Sequence, residues 1–304
     1  MTGAVHVQDD GRGGLVLATA AGGHDAVAGD APACAGRTAP CTAADVAAAW
    51  AALAPSVERD DVVALADRVR HAPAPAAWAA WQAAVALRAH RAGLSMTALL
   101  SRELGPPAAT SVRTAGLVTD AGAGGVPTTP TVKWKTPPAD ASTLRAFRAR
   151  APATRLRIDG NRALAVDAAL TLADVCGAAL QFVEEPCRPS DLARCAARLP
   201  LALDESLLDH DLDVDDAVQL GARCVVLKPA TLGPARALSL ALAARRAGLD
   251  VVLSAVGEGV CGLRALVALH AVFGTLDAGL GTYVWRDDTR AIFAADGAFV
   301  GALP

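Results

Sequence analysis

The chain has 304 residues, 53% of them apolar, enough for one barrel of about 200–250 residues plus a smaller domain. Aromatics make up only 4%, and 28 basic against 31 acidic side chains leave a formal charge of −3. Neither a stacking platform nor a basic face for nucleic acid is indicated.

Residues 1–45 are rich in Gly, Ala and Asp and give at most two short strands, near 4–8 and 15–19. From Thr42 the pattern turns helical. Thr42 caps a helix to about Leu53, Asp60 or Asp61 a second to about His71, and a third runs over 75–92 until Gly93 ends it. Ser95 starts a short fourth helix, and Gly105-Pro106-Pro107 reads as a linker. Beyond it, β-like runs at 113–118, 131–135, 155–159, 180–184, 201–204, 224–228, 251–254 and 280–284 alternate with helical runs. Eight such units predict a closed parallel barrel rather than an open sheet. The expected division is a capping domain over 1–107, the barrel over 108–288 and a C-terminal segment over 289–304 that returns towards the cap. The apolar runs at 163–180 and 235–247 carry Asp or Arg, so they read as amphipathic helices and not as membrane spans. The seven cysteines, Cys34, Cys41, Cys176, Cys187, Cys195, Cys224 and Cys261, form no CxxC pair. They read as thiols of a reducing cytosol. With no cationic start followed by an apolar core, a cytoplasmic chain is expected.

Lys135, Asp159, Glu184, Asp204, Lys228 and Ser254 recur every 20–26 positions, each at the end of an apolar run. In a barrel all strand C-termini meet on one face, so this period gathers six distant residues into one ring. Singly, each acid has a plain explanation: Asp159 as a turn residue, Glu184 or Glu185 as the cap of a helix after Pro186, Asp204 as the cap of a helix near Glu205. Together they are three anions in one cavity, which repel unless a hard cation joins them; all-oxygen ligation suits Mg2+ or Mn2+. Lys133 and Lys135 are two apart on a strand and share a face. Val132 and Trp134 take the other face, so the lysines point into the barrel. These two and Lys228 are the only lysines of the chain. Metal, acids and lysines fit removal of a proton next to a carboxylate. There is no GxSxG elbow, Walker A loop, HExxH, or GxGxxG after a strand. The run Ala121-Gly122-Ala123-Gly124-Gly125 reads as a mobile loop.

Lys133-Trp134-Lys135, Leu156-Arg157-Ile158-Asp159-Gly160-Asn161-Arg162, Phe182-Val183-Glu184-Glu185-Pro186-Cys187, Leu203-Asp204-Glu205-Ser206-Leu207 and Val226-Leu227-Lys228-Pro229 resemble, in that order, the enolase superfamily, and within it the o-succinylbenzoate synthases of menaquinone biosynthesis. The resemblance implies an α+β cap followed by a (β/α)7β barrel. It implies Mg2+ on Asp159, Glu184 and Asp204, with Glu184 rather than Glu185 as the ligand. Lys135 would be the base, Lys228 would stabilise the anion from across the ring, and Lys133 would neutralise the substrate carboxylate. Asn161 would order the metal shell, and Ser254 and Gly279 would contact the succinyl tail.

The expected activity is therefore a lyase reaction, dehydration of 2-succinyl-6-hydroxy-2,4-cyclohexadiene-1-carboxylate to o-succinylbenzoate. A racemase or epimerase of N-acylamino acids or dipeptides would use the same two lysines. Dipeptide epimerases usually carry Asp-x-Asp on the last strand, where this chain reads Gly281-Thr282-Tyr283-Val284-Trp285. A non-catalytic barrel retained as a binding protein is the alternative of another class. The expected partner is a small carboxylate, with no nucleic acid or membrane, for a monomer or homo-oligomer. No glycine-rich loop over the site is recognisable in the first 45 residues, so a short lid is expected there.

Overall fold

The computed structural model describes residues 5–9, 15–21, 25–31, 41–119, 127–136, 140–209 and 212–304. Three strands, β1 (Val5–Asp9), β2 (Leu15–Ala21) and β3 (Asp25–Ala31), form an antiparallel sheet in the order β1-β2-β3. The sequence reading found the first two and missed the third. Four helices follow: α1 (Ala43–Leu53), α2 (Val62–Arg68), α3 (Ala74–Arg91) and α4 (Met96–Leu104). The starts of α1, α2 and α4 are set by side-chain caps, which satisfy amides that have no partner in the first turn, whereas α3 starts with Pro75 in its first turn and no side-chain cap. Thr42 and Asp45 close a capping box on α1, Asp61 accepts from Val63 and Ala64, and Ser95 accepts from Ala98. The buried helix α3 lies against β2, β3 and α1, so it is the surface on which the small sheet rests.

The second sheet is parallel and has seven strands in sequence order: β4 (Gly116–Val118), β5 (Thr131–Lys135), β6 (Arg155–Asp159), β7 (Leu180–Glu184), β8 (Leu201–Leu203), β9 (Cys224–Leu227) and β10 (Asp250–Leu253). The connections carry α5 (Ala141–Arg150), α6 (Val166–Cys176), α7 (Leu192–Ala196), α8 (Glu205–Leu208), α9 (Val214–Leu220), α10 (Pro229–Leu232) and α11 (Pro234–Arg246). Helix α12 (Val260–Phe273) follows β10.

The eighth unit differs from expectation. Residues 280–284 do not form a strand; Gly281–Trp285 is a 3-10 turn. The closing segment lies just before it. Ala278 bridges to Thr114 and Gly279 to Ser254, both in parallel. Four backbone bonds hold this seam: Ala278 N–H to Arg113 C=O at 2.7 Å, Ala115 N–H to Ala278 C=O at 2.8 Å, Gly279 N–H to Leu253 C=O at 2.8 Å and Ala255 N–H to Gly279 C=O at 3.1 Å. The fold is thus an α/β barrel of seven strands, with an extended segment in the eighth place.

Strand alternation sorts the side chains. Val132, Trp134, Leu156, Ile158, Val183, Leu201, Leu203, Val225, Leu227, Val251 and Leu253 belong to the large core shared with the helices. Trp134 meets the edge of Phe147 of α5 at 5.0 Å, a contact worth about 1 kcal/mol beyond burial. The opposite faces fill the lumen with a separate small cluster, Phe182, Ala202, Cys224, Val226 and Val252, joined by Leu276. The next inward residue on each strand, towards its C-terminal end, is where the polar ring begins.

The C-terminal segment runs back along the molecule. Phe299 N–H donates to Val112 C=O at 2.9 Å, and Pro304 C=O accepts from Thr97 of α4 at 2.7 Å. The run 121–125 and Pro137-Pro138 lie outside the described residues. So do 10–14, 22–24 and 32–40, which include parts of the expected lid. Among the described residues, no helix is long and apolar enough to cross a membrane.

Candidate active site

Asp159, Glu184 and Asp204 end, or directly follow, three neighbouring strands. Asp159 and Glu184 are partners in the β6–β7 register, and Glu184 pairs with Ala202, two residues before Asp204. All three are at most 3% exposed. Lys133 and Lys135 reach the same layer from β5, and Lys228 does so from the end of β9.

In this structure each acid faces an ammonium group. Lys133 Nζ lies 2.8 and 3.0 Å from the two Glu184 oxygens and 3.2 Å from Asp159 Oδ2. Lys135 Nζ is 2.8 Å from the same Asp159 oxygen and donates to Asn161 Oδ1 at 3.1 Å. Lys228 donates to Asp204 Oδ2. Three carboxylates and three lysines thus balance inside a space from which water is largely excluded.

Burial favours the neutral forms of Asp159, Glu184, Asp204, Lys133 and Lys228, and the neighbours decide the outcome. Burial would lift Asp159, but Lys133 and Lys135 outweigh it and hold its carboxyl well below the usual range. Glu184 is pushed up to about 7 by burial and by the Asp159 charge, against the pull of Lys133. Asp204 is raised by burial in spite of Lys228. Burial would lower Lys133 and Lys228, yet Glu184 with Asp159, and Asp204, respectively raise them.

The plain explanations of the acids fail in two cases. Asp204 occupies the N-cap position of α8, but its side chain makes no cap bond and turns to Lys228 instead. Glu184 faces the lumen. Glu185 does not cap a helix after Pro186 either; its carboxylate instead holds the start of α8, accepting from Asp204 N–H at 3.1 Å, Ser206 N–H at 2.8 Å and the Ser206 hydroxyl at 3.1 Å. Asp159 keeps part of its turn role, accepting from Asn161 N–H through Oδ1 at 3.3 Å. Gly160 is required beside it, because a Cβ there would stand 2.6 Å from the Pro186 Cα. That close approach brings the β6 and β7 loops together.

Among the described residues, no group of three His, Cys, Asp or Glu side chains is arranged to hold a metal ion. The expected cluster is therefore not preformed. Its donor chemistry is nevertheless suitable. Asp159 Oδ2 is buried and touches the Lys133 and Lys135 ammonium groups without an aligned hydrogen bond, and a carboxylate oxygen of this kind is the hard donor that a divalent cation takes once the lysines give way. Strand register already places the three acids side by side.

Sequence reasoning missed Glu205, whose Oε1 accepts from Asn161 Nδ2 at 3.0 Å. Asn161, held at φ +42°, thereby links Lys135 to Glu205. That bridge spans 44 positions and has no local sequence signal. Ser254 and Gly279 line the mouth cavity, about 170 Å3 in volume, with Lys133, Lys135 and Lys228; Trp285 stands at its edge, 56% exposed. Ser254 donates to Gly279 C=O at 3.1 Å, so this pair forms one wall.

A family model described as Enolase C-terminal domain-like matches residues 113–300. The chain belongs to the enolase superfamily. A mandelate racemase/muconate lactonizing enzyme from Roseiflexus sp. is 25% identical, with a TM-score of 0.76 over 98% of this chain and 94% of that one. The muconate lactonizing enzyme from Pseudomonas putida is 18% identical, with a TM-score of 0.72 over 96% and 90%. The dipeptide epimerase from Enterococcus faecalis V583 is 17% identical, with a TM-score of 0.76 over 99% and 97%. At their identities the last two establish a common fold and nothing narrower. No sequence match was found among curated proteins.

Proposed function

We propose that the protein is a Mg2+-dependent o-succinylbenzoate synthase, a lyase. The observation that carries this reading is the charge of the mouth. Its lining presents three lysines, each paired from behind with Glu184, Asp159 or Asp204, and among the described residues no carboxylate lines the cavity itself. The proposed substrate carries two carboxylates, one on the ring and one on the succinyl tail, and suits such a lining. A dipeptide with a free ammonium group would find no counter-charge there. The turn Gly281–Trp285 offers Gly281, Thr282 and Trp285 to the cavity and no acid.

Asp159, Glu184 and Asp204 would hold the ion after their side chains rotate away from Lys133 and Lys228. A bound Mg2+ supplies positive charge beside the substrate carboxylate. Lys135 removes the proton next to that carboxylate. Lys228, four strands away in the ring and lining the same cavity, faces the resulting anion. The C–O bond to the ring hydroxyl then breaks, and protonated Lys135 returns its proton to the leaving oxygen. Water departs and the ring becomes aromatic. Lys133, released from Glu184, balances the substrate's charge, and Asn161 holds Lys135 in place from the β6 side. Ser254 and Gly279 form the wall for the tail.

Purified protein with Mg2+ and 2-succinyl-6-hydroxy-2,4-cyclohexadiene-1-carboxylate should generate the ultraviolet absorbance of o-succinylbenzoate. Racemisation of N-acylamino acids without dehydration would replace this reading, since Lys135 and Lys228 across one cavity also suit two-base exchange. No turnover of either class would leave a binding protein.

A further inference from the structure

The barrel has a second cavity at its other end. It lies among the N-terminal ends of the strands, has a volume of about 340 Å3 and exceeds the mouth in size. Its wall includes Arg113, which leads into β4, Arg155, the first residue of β6, and Gln181 of β7. Among the described residues, neither Arg113 nor Arg155 has a carboxylate partner. The single acid of the lining, Asp277, also stands without an ion pair among them. His270 adds no charge: Nδ1 accepts from Leu253 N–H at 3.3 Å, Nε2 meets Leu276 C=O at 2.7 Å, and burial lowers its pKa to about 4.

A third guanidinium stands behind this wall. Arg157 follows Arg155 by two positions and so shares its inward face. It is 1% exposed, lies over the Phe182 ring at 5.0 Å, and donates from Nε to Gln181 Oε1 at 2.7 Å. Its Nη2 is buried and has no hydrogen-bond partner. An unmet N–H on a buried cation is costly, and an acceptor that reached it would remove that cost. Two unpaired arginines on the wall and a third with an unmet donor behind Gln181, against Asp277 on the wall and Asp250 behind Thr275, leave a cationic excess. Guanidinium forks match the paired oxygens of carboxylate and phosphate.

We propose that this cavity binds a small dianion, a phosphate or a dicarboxylate, at the face of the barrel opposite the mouth. The site is independent of the reaction proposed above. Inorganic phosphate, and separately succinate, would be titrated into the protein by calorimetry at low ionic strength. The two arms tell which source of the shared oxyanion chemistry the site prefers. Saturable binding of at least one is expected, weakened tenfold or more in Arg113→Gln/Arg155→Gln. These side chains are solvent-exposed, and circular dichroism checks that the double variant keeps its fold. Lys135→Met, which alters the mouth alone, should bind as the wild type does. The proposal is overturned if neither anion binds, if the double variant binds unchanged, or if binding is lost in Lys135→Met instead.

Discussion

Lys133 touches two buried carboxylates at once, and that dual contact can be tested by removing it. Lys133→Met leaves Asp159 and Glu184 facing each other without their shared cation. Loss of one partner of a buried ion pair costs about 3–5 kcal/mol, so the midpoint of urea unfolding should fall markedly in metal-free protein. Added Mg2+ should recover part of the loss by binding the acids, and a midpoint that does not move on adding Mg2+ would sink that idea. Lys135 tests the chemistry. Lys135→Ala and Lys135→Arg should both abolish turnover while Mg2+ binding persists, because an arginine cannot give up its proton near neutral pH. Near-normal kcat in Lys135→Arg would place the base elsewhere. Residue types and faces were legible in the sequence wherever strand alternation governed them, as for Lys133, Lys135 and Trp134. Contacts made across the ring were not. Nothing local announces that Asn161 meets Glu205, or that Glu185 leaves the lumen to bind the Asp204 and Ser206 amides.

Among the elements, α1, α2 and α4 were legible because each begins at a residue able to bond free amides, and α3, which has no side-chain cap, from Pro75 at its start and Gly93 at its end. Strand β3 was not, since Asp25–Ala31 is poor in the β-branched and aromatic residues that mark strands; its seven register pairs with β2 make it a strand. The run 280–284 erred the other way: Leu280, Thr282, Tyr283 and Val284 look like a strand, but the seam bonds fall on Ala278 and Gly279. His270 fastens this seam, joining α12 to Leu253 of β10 and to Leu276. Its pKa, lowered from 6.5 to about 4, fixes the sign of a pH effect. Between those values the unfolded chain holds a proton that the folded chain rejects, so stability rises with pH across this window. The contribution is complete above about pH 6.5 and is lost as pH falls towards 4, on the order of 3 kcal/mol in all. Chemical denaturation of wild type and His270→Gln at pH 7 and pH 4.5 checks this: the variant should lose less stability on acidification.

For the whole molecule, the recurrence of charged or hydroxyl residues every 20–26 positions disclosed the barrel, because one period fixes the repeating unit and the face where strands end, though not that the eighth place is filled without a strand. How the ends of the chain close the structure was harder to read. Phe299 packs on Phe293 with ring centroids 5.9 Å apart, and Pro304 reaches Thr97, so deleting residues 298–304 should lower Tm by on the order of 5–10 °C. An unchanged melting curve would show that the segment is passive. The ring itself is uneven. β5 and β6 share five register pairs, whereas each side of the closing segment carries a single bridge. In native-state deuterium exchange, the amides of Ala115, Ala255, Ala278 and Gly279 should therefore be released well before those of β5 and β6. Gly279 and Ser254 belong both to this weak seam and to the wall of the mouth. Cylinder breathing and admission of a bulky guest would then be one motion, and the wall made by Ser254 and Gly279 would be the first to yield.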